Sequence, residues 1–173
     1  MQVKYKNQSY TLGKKDRTIE SEAPAIRVKM FNDETKVIGM MAPSIQVMIT
    51  LNNIKDYSEK LDEILKENPY KIIAYIITAS MNEEIKEVVK TYGINEGFIS
   101  NEFKDFSLKF GININETLIA NSLFIIDKEG VIKYKQIPST LENSFDFDDF
   151  KENLEETINF KPKGHTHENW MGV

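Results

Sequence analysis

The sequence predicts a three-layer α/β/α domain with an additional β-hairpin at its N-terminus. In the middle of the chain, helical patterns alternate with strands that are apolar on both faces, as in a sheet covered by helices on both sides. An antiparallel strand pair and one more helix follow. The length of 173 residues suits one domain. We expect this domain to occupy residues 1–158 and a tail to occupy residues 159–173.

The N-terminal part of the chain is predicted to form two strand pairs. Apolar and polar residues alternate within residues 3–12 around a turn-prone centre, which predicts the first hairpin. Residues 26–31 and 36–41 form a second predicted pair, joined by a polar turn. Pro43 is expected to end regular pairing there, because proline has no backbone N–H to donate.

Two helices are predicted in the middle of the chain. The first covers residues 54–67, with apolar residues on one face and Asn52 or Asn53 as its cap. The second opens with a capping-box pattern that begins at Ser80, and Gly93 is a natural stop for it.

The other predicted elements alternate between strands and helices. In chain order they are a buried strand at 71–78, a short strand at 97–100, a short helix ending at Gly111, a hairpin of 122–127 and 131–137, and a helix at 147–158. A β-β-α unit that follows a β-α-β unit is the thioredoxin-like arrangement, and we expect this fold.

Charge and hydropathy exclude several classes of protein. The net charge of −5 argues against a nucleic-acid binder, which would cluster Lys and Arg against phosphates. No apolar run approaches the ~20 residues of a membrane helix, and the first residues lack the apolar core of a signal peptide. We therefore expect a cytoplasmic protein that binds neither nucleic acid nor membrane and carries no cofactor.

The chain contains no cysteine and only two histidines, His165 and His167. Disulfides, thiolate metal sites and a cysteine nucleophile are therefore excluded for this sequence. Because both histidines lie near the C-terminus, a Ser-His-Asp triad in the core is not expected either.

Several segments together carry a family resemblance. Residues 36–50 read Lys-Val-Ile-Gly-Met-Met-Ala-Pro-Ser-Ile-Gln-Val-Met-Ile-Thr, and further matches follow at residues 23–26, 77–80, 110–112 and 120–134. This ordered series, over about residues 2 to 158, resembles the thiol peroxidase branch of the peroxiredoxins. In that family a strand runs into Pro-Ser-Ile/Leu-Asp-Thr-x-Val-Cys, and the cysteine attacks peroxide. The resemblance implies a thioredoxin-dependent peroxidase and a homodimer.

The departures from that motif affect its chemistry. Pro43 and Ser44 match its start, but Gln46 stands at the aspartate position, Val47 at the threonine position and Thr50 at the position of the peroxidatic cysteine. An alcohol cannot follow the oxidation steps of a thiolate. Valine offers the peroxide no hydrogen bond in place of the family's threonine.

Two further family residues are missing. The arginine that would stabilise the thiolate is replaced by Asn121, and the resolving cysteine position falls near Val88 or Val89. We therefore expect a degenerate site at Pro43, Ser44, Val47, Thr50 and Asn121 in a non-catalytic binding or interaction protein. The alternative is an antioxidant role or a repurposed small-ligand pocket around Thr50.

Three features stay open at this point. Thr50 and Ser44 are either strand-end and capping residues or part of a pocket near the start of the first helix. Met40, Met41 and Met48 either fill core space or are sites of oxidation.

The His165-Thr166-His167 segment either offers two ligands to a metal or belongs to a tail whose Trp170 packs elsewhere. Two ligands are too few for a defined protein site, so no metal site is expected.

Overall fold

The computed structural model describes residues 1–13 and 17–160. The strands are β1 (Gln2–Tyr5), β2 (Gln8–Thr11), β3 (Ala25–Lys29), β4 (Thr35–Gly39), β5 (Ile45–Leu51), β6 (Ile72–Thr78), β7 (Ile99–Ser100), β8 (Ser122–Ile126) and β9 (Ile132–Gln136). The helices are α1 (Glu59–Lys66), α2 (Asn82–Tyr92), α3 (Lys104–Phe110) and α4 (Phe147–Asn159), with short 3₁₀ turns at Ile54–Asp56 and Glu96–Phe98.

Five strands form the central mixed sheet, in the order β7-β6-β5-β8-β9. Strands β5, β6 and β7 are parallel, whereas β8 is antiparallel to both β5 and β9. The two predicted N-terminal hairpins form separate two-stranded sheets, β1-β2 and β3-β4. The predicted thioredoxin-like fold is confirmed.

The sheet separates two apolar cores. One core joins the face that carries Val47 and Ile49 to α1, α2 and α4. The other joins the face that carries Met48 and Phe124 to α3 and the two hairpins. Each β5 side chain is buried, because both faces of this strand are covered.

Strand β5 was not predicted, and the first helix is shorter than predicted. The segment 45–51 was interpreted as a junction leading from the second hairpin into a helix, but it is the middle strand of the sheet. The helix predicted over residues 54–67 consists of the 3₁₀ turn and α1, which are separated at Tyr57 and Ser58. The predicted cap Asn53 does cap the 3₁₀ turn, by accepting from the Lys55 backbone N–H at 3.0 Å.

The start of α2 also differs in detail from the prediction. Its N-cap is Met81, and the Met81 N–H donates to Glu84 Oε1 at 3.4 Å. The hydroxyl of Ser80 instead accepts the backbone N–H of Ile54 at 2.8 Å. Ser80 therefore ties the loop after β5 to the start of α2, a role that local sequence cannot reveal.

Gln46, on β5, holds the second hairpin against the central sheet. Its Oε1 accepts from the Gly39 N–H, and its Nε2 donates to the carbonyls of Gly39 and Met40, each at 2.9 Å. The side chain is 2% exposed. The position matched to a motif aspartate is therefore occupied by a structural amide that satisfies three backbone groups.

In the described part of the chain, no helix combines the length and apolar character needed to cross a bilayer. The same residues contain no group of three or more side chains of His, Cys, Asp and Glu placed to hold a metal ion.

Candidate functional site

The loop that follows β5 lies at the carboxyl end of the parallel strands, where ligand sites of α/β sheets are commonly found. It runs from Asn52 to Ser58, and Ser58 is the N-cap of α1. The Ser58 hydroxyl accepts the Leu61 backbone N–H at 3.3 Å. The loop therefore places a hydroxyl group at the start of a helix, beside the end of the central strand.

Asn121 holds this loop in place from the neighbouring strand. Its Oδ1 accepts the Asn52 N–H at 2.8 Å, and its Nδ2 donates to the Leu141 carbonyl at 3.3 Å. In return, Asn52 Oδ1 accepts the Ile119 N–H at 3.1 Å. Asn121 is only 4% exposed, so these hydrogen bonds are shielded from water.

A cleft of about 110 Å³ opens beside Asn121. Its lining residues are Leu51, Asp56, Ser58, Asn121, Glu142, Asn143, Ser144, Phe145 and Phe147. Two of them carry carboxylates, and none is Lys or Arg. The cleft therefore favours hydrogen-bonding neutral groups over anions such as a thiolate.

Asp56 is the titratable group whose protonation this environment changes. Burial raises the pKa of the Asp56 carboxyl above its ordinary value of 3.8, while a hydrogen bond to Asn121 opposes that shift. The carboxylate is thus partly desolvated at the mouth of the cleft.

Thr50 does not lie at the start of a helix, and that expected placement is wrong. It lies within β5, paired with Ile77 of β6 and Ser122 of β8, and it is 0% exposed. Its hydroxyl lies 2.9 Å from the Ala120 carbonyl and 2.5 Å from Ser122 Oγ. The hydroxyl is therefore engaged inside the sheet and is not presented to a ligand.

The structure does not bring Pro43, Ser44 or Val47 to Thr50. Pro43 and Ser44 precede β5 and line a different pocket with Tyr70 and Lys71. A strand rises about 3.3 Å per residue, so Ser44 lies roughly 20 Å from Thr50 along β5. Val47 is buried in the core between the sheet and the helices. Of the five predicted residues, Asn121 alone lines the cleft with Asp56 and Ser58.

Asp56 and Ser58 are not among the predicted site residues, because the sequence predicts a continuous helix over residues 54–67, whereas the structure has a loop there as far as Ser58. One local signal for Ser58 was present. A serine followed by Glu59 and Asp62 in the first helical turn is typical of an N-cap.

Comparison with known proteins decides the family. The model of the Redoxin family matches residues 19–154, which is most of the chain. The chain belongs to the Redoxin family.

Individual relatives of this redoxin are distant but cover it almost fully. The thiol peroxidase of Aquifex aeolicus (strain VF5) is 22% identical over 166 residues, which are 90% of this chain and 98% of that protein. A peroxiredoxin-like protein from Aquifex aeolicus superposes with a TM-score of 0.80 at 21% identity, covering 90% of this chain and 96% of that one. The thiol peroxidase from Chromobacterium violaceum gives 0.72 at 16% identity, with the same coverage.

This redoxin is thus thiol-peroxidase-like, and it lacks cysteine. The weak metal candidates His165 and His167, and Trp170 with them, lie outside the described residues. Among the methionines, Met48 is buried in the core as expected for a gap filler, whereas Met40 and Met41 are exposed. The core-filling interpretation is therefore wrong for these two.

Asp56 is expected to make the stability of this redoxin fall as the pH rises. A carboxyl whose folded-state pKa is raised binds its proton more tightly in the folded state, so stability is lost between the unfolded pKa near 3.8 and the raised value. The free energy of unfolding of Asp56→Asn, measured relative to that of the unmodified chain, should therefore be higher at pH 7 than at pH 3. Urea unfolding at both pH values measures this.

Gln2→Leu provides the control, since it changes no titratable group and lies on the exposed part of β1, so its effect should be the same at both pH values. If the stability difference between Asp56→Asn and the unmodified chain is the same at both pH values, the raised pKa of Asp56 is contradicted.

Proposed function

We propose that this redoxin has lost cysteine-dependent peroxide reduction and acts as a non-catalytic binding or interaction protein. The observation that carries the proposal is the absence of cysteine from all 173 residues. Peroxide reduction in a thiol peroxidase requires a thiolate that becomes a sulfenic acid and is then returned through a disulfide. Neither step has an equivalent at a hydroxyl group.

The cleft supports this proposal independently of the cysteine count. We infer that the nucleophile position falls on Ser58, because the family motif ends in a loop that follows a strand, and the loop after β5 ends at Ser58. Asn121, at the arginine position, is neutral, and the charged residues that line the cleft are Asp56 and Glu142. This electrostatic environment opposes a thiolate as well as the negative charge that develops on a peroxide oxygen.

The alternative of a small-ligand pocket around Thr50 loses its support, because Thr50 is buried and its hydroxyl is hydrogen-bonded. If a small ligand binds this end of the sheet, the cleft at Asp56, Ser58 and Asn121 is the place for it. The lining favours a small neutral molecule with hydrogen-bonding groups.

An antioxidant role would have to use methionine. Met40, Met41 and Met81 are 45%, 69% and 70% exposed, whereas Met30 and Met48 are buried. A thioether that reacts with hydrogen peroxide becomes a sulfoxide and releases water, so each methionine consumes one peroxide unless a reductase restores it.

A peroxide-consumption assay distinguishes these functions. With thioredoxin, thioredoxin reductase and NADPH present, we expect no NADPH oxidation above buffer. We expect the total loss of peroxide to stop at or below seven equivalents per chain, one for each of the seven methionines. Peptide mass spectrometry should find sulfoxide at Met41 and Met81 before Met30 and Met48. Sustained NADPH-coupled turnover would overturn the proposal.

The oligomeric state and the location in the cell are also proposals. We propose a homodimer in the cytoplasm, on the strength of the family resemblance. Sedimentation velocity at several concentrations tests the homodimer, and a single monomer-sized species throughout the range would contradict it.

A further inference from the structure

Strand β6 has an open outer edge over half of its length. Its partner on that side, β7, pairs only with Ile76 and Ile77. Among the described residues, no strand pairs with residues 72–75 on the side away from β5. An open edge presents backbone N–H and C=O groups that can bind another extended segment.

A largely apolar groove of about 390 Å³ lies beside this edge. Its walls include Leu65, Pro69, Ile73, Ala74, Ile94 and Phe98. The two charged residues that line it, Asp62 and Lys66, form an ion pair with each other at 2.9 Å. The groove therefore suits an apolar side chain on an extended backbone. It is distinct from the cleft at Ser58, because the two share no lining residue.

The chain continues beyond Phe160, whose ring lies 5.8 Å from the Lys133 ammonium group on β9. Ile158, near the end of α4, lines a pocket with Tyr70, which directly follows the groove residue Pro69. Tyr70 is 96% exposed and Phe160 is 67% exposed, so both aromatic rings lie on the surface.

The chain beyond Phe160 is long enough to reach the outer side of β6. Helix α4 packs on β8 and β9. Phe160 lies beside β9, so four strand spacings, about 19 Å, separate it from the outer side of β6. Ten extended residues from Phe160 to Trp170 span up to about 33 Å.

The composition of residues 161–173 fits such an occupant. The segment is polar apart from a proline and a C-terminal group of apolar residues that includes Trp170 and Met171. A tryptophan buries more apolar surface than any other side chain, and its backbone needs hydrogen-bond partners when it is buried. The groove offers apolar walls, and the open edge offers the partners.

We propose that residues 161–173 of the same chain add to the open edge of β6 and that Trp170 occupies the groove. This inference concerns the outer edge of β6 and does not depend on the proposed binding function. The segment would cover an edge that otherwise invites pairing between chains.

Trp170 is the single tryptophan of the chain, so its fluorescence tests the proposal directly. In the full-length protein we expect emission at shorter wavelength and weaker acrylamide quenching than in guanidinium. Ile94→Asp, in the groove, should abolish this shielding, while Ile19→Asp, at an exposed isoleucine outside the groove, should preserve it. Circular dichroism verifies that both variants are folded.

A second measurement does not depend on a groove variant. Hydrogen exchange should show protection of the backbone amides within residues 72–75 that face away from β5, and Trp170→Ala should remove that protection without changing the protection of β5. The proposal is overturned if Trp170 is not shielded from quencher, or if Ile94→Asp leaves its shielding intact. It is also overturned if the outward-facing amides of residues 72–75 are unprotected. Loss of shielding on roughly a hundredfold dilution would also overturn it, since the occupant would then be the segment of a second copy.

Discussion

Cysteine at position 58 is expected to become a reactive thiolate only when the charge of the cleft is changed with it. In Ser58→Cys alone, the helix N-terminus favours the thiolate, but Asp56 and Glu142 oppose it. Adding Asn121→Arg places a cation beside the sulfur. One unit of pKa lowering raises the thiolate fraction at pH 7 about tenfold, and the rate of alkylation by iodoacetamide should rise accordingly.

Sulfenic acid formation gives the second readout of this experiment. After one equivalent of hydrogen peroxide, a dimedone adduct at position 58 should form in the double variant faster than in Ser58→Cys. Because Asn121 also holds the loop, the pair Ser58→Cys and Asp56→Asn tests the same electrostatic effect and retains the hydrogen bonds of Asn121 to Asn52 and Leu141.

Thr50→Cys is the control that distinguishes the two possible nucleophile positions. The side chain of Thr50 is fully buried between β6 and β8, so a thiol there should remain unlabelled in the folded protein. If Thr50→Cys reacts faster than Ser58→Cys, the assignment of the motif position to Ser58 is wrong.

Gln46→Leu is expected to cost about 3 kcal/mol of the free energy of unfolding, because burying unsatisfied polar groups is costly. The substitution leaves the buried N–H and carbonyl of Gly39 and the part-buried carbonyl of Met40 without their side-chain partner. For a domain of this size the loss corresponds to a melting temperature lower by about 6–12 °C. Urea unfolding and thermal unfolding both measure it.

Gln2→Leu is the matched control, since Gln2 is exposed on β1. A surface change of this kind should alter stability by no more than about 0.5 kcal/mol. Equal effects of the two substitutions would show that the three hydrogen bonds of Gln46 contribute nothing beyond the change of side chain.

Much of the fold could be predicted because local signals agreed with tertiary packing. The turn at Asp127 is an example. Its Oδ1 accepts the N–H groups of Glu129 and Val131, and Gly130 adopts a φ of 85°, so the sequence Asp-Lys-Glu-Gly predicted the β8-β9 turn correctly. Gly93 and Gly111 end α2 and α3 in the left-handed region for the same kind of local reason.

Strand β5 could not be predicted in this way, because a strand covered on both faces has no alternation of apolar and polar residues. Its two polar residues, Gln46 and Thr50, looked like remnants of a catalytic motif. In the structure each makes hydrogen bonds that a buried polar side chain requires. This burial is the reason for our proposal that the motif position falls in the loop after β5.

The sequence by itself determined the thioredoxin-like fold, the family resemblance and the absence of a thiol, since these depend on periodicity, ordered motifs and residue type. Only the tertiary structure decided which residues meet at the carboxyl end of the sheet. Asn121 and Ser58 lie far apart in the chain and share one cleft, whereas Ser44 and Thr50 are close in sequence and lie at opposite ends of one strand. An extended strand separates its ends by its full length, and strand pairing brings together residues from distant segments.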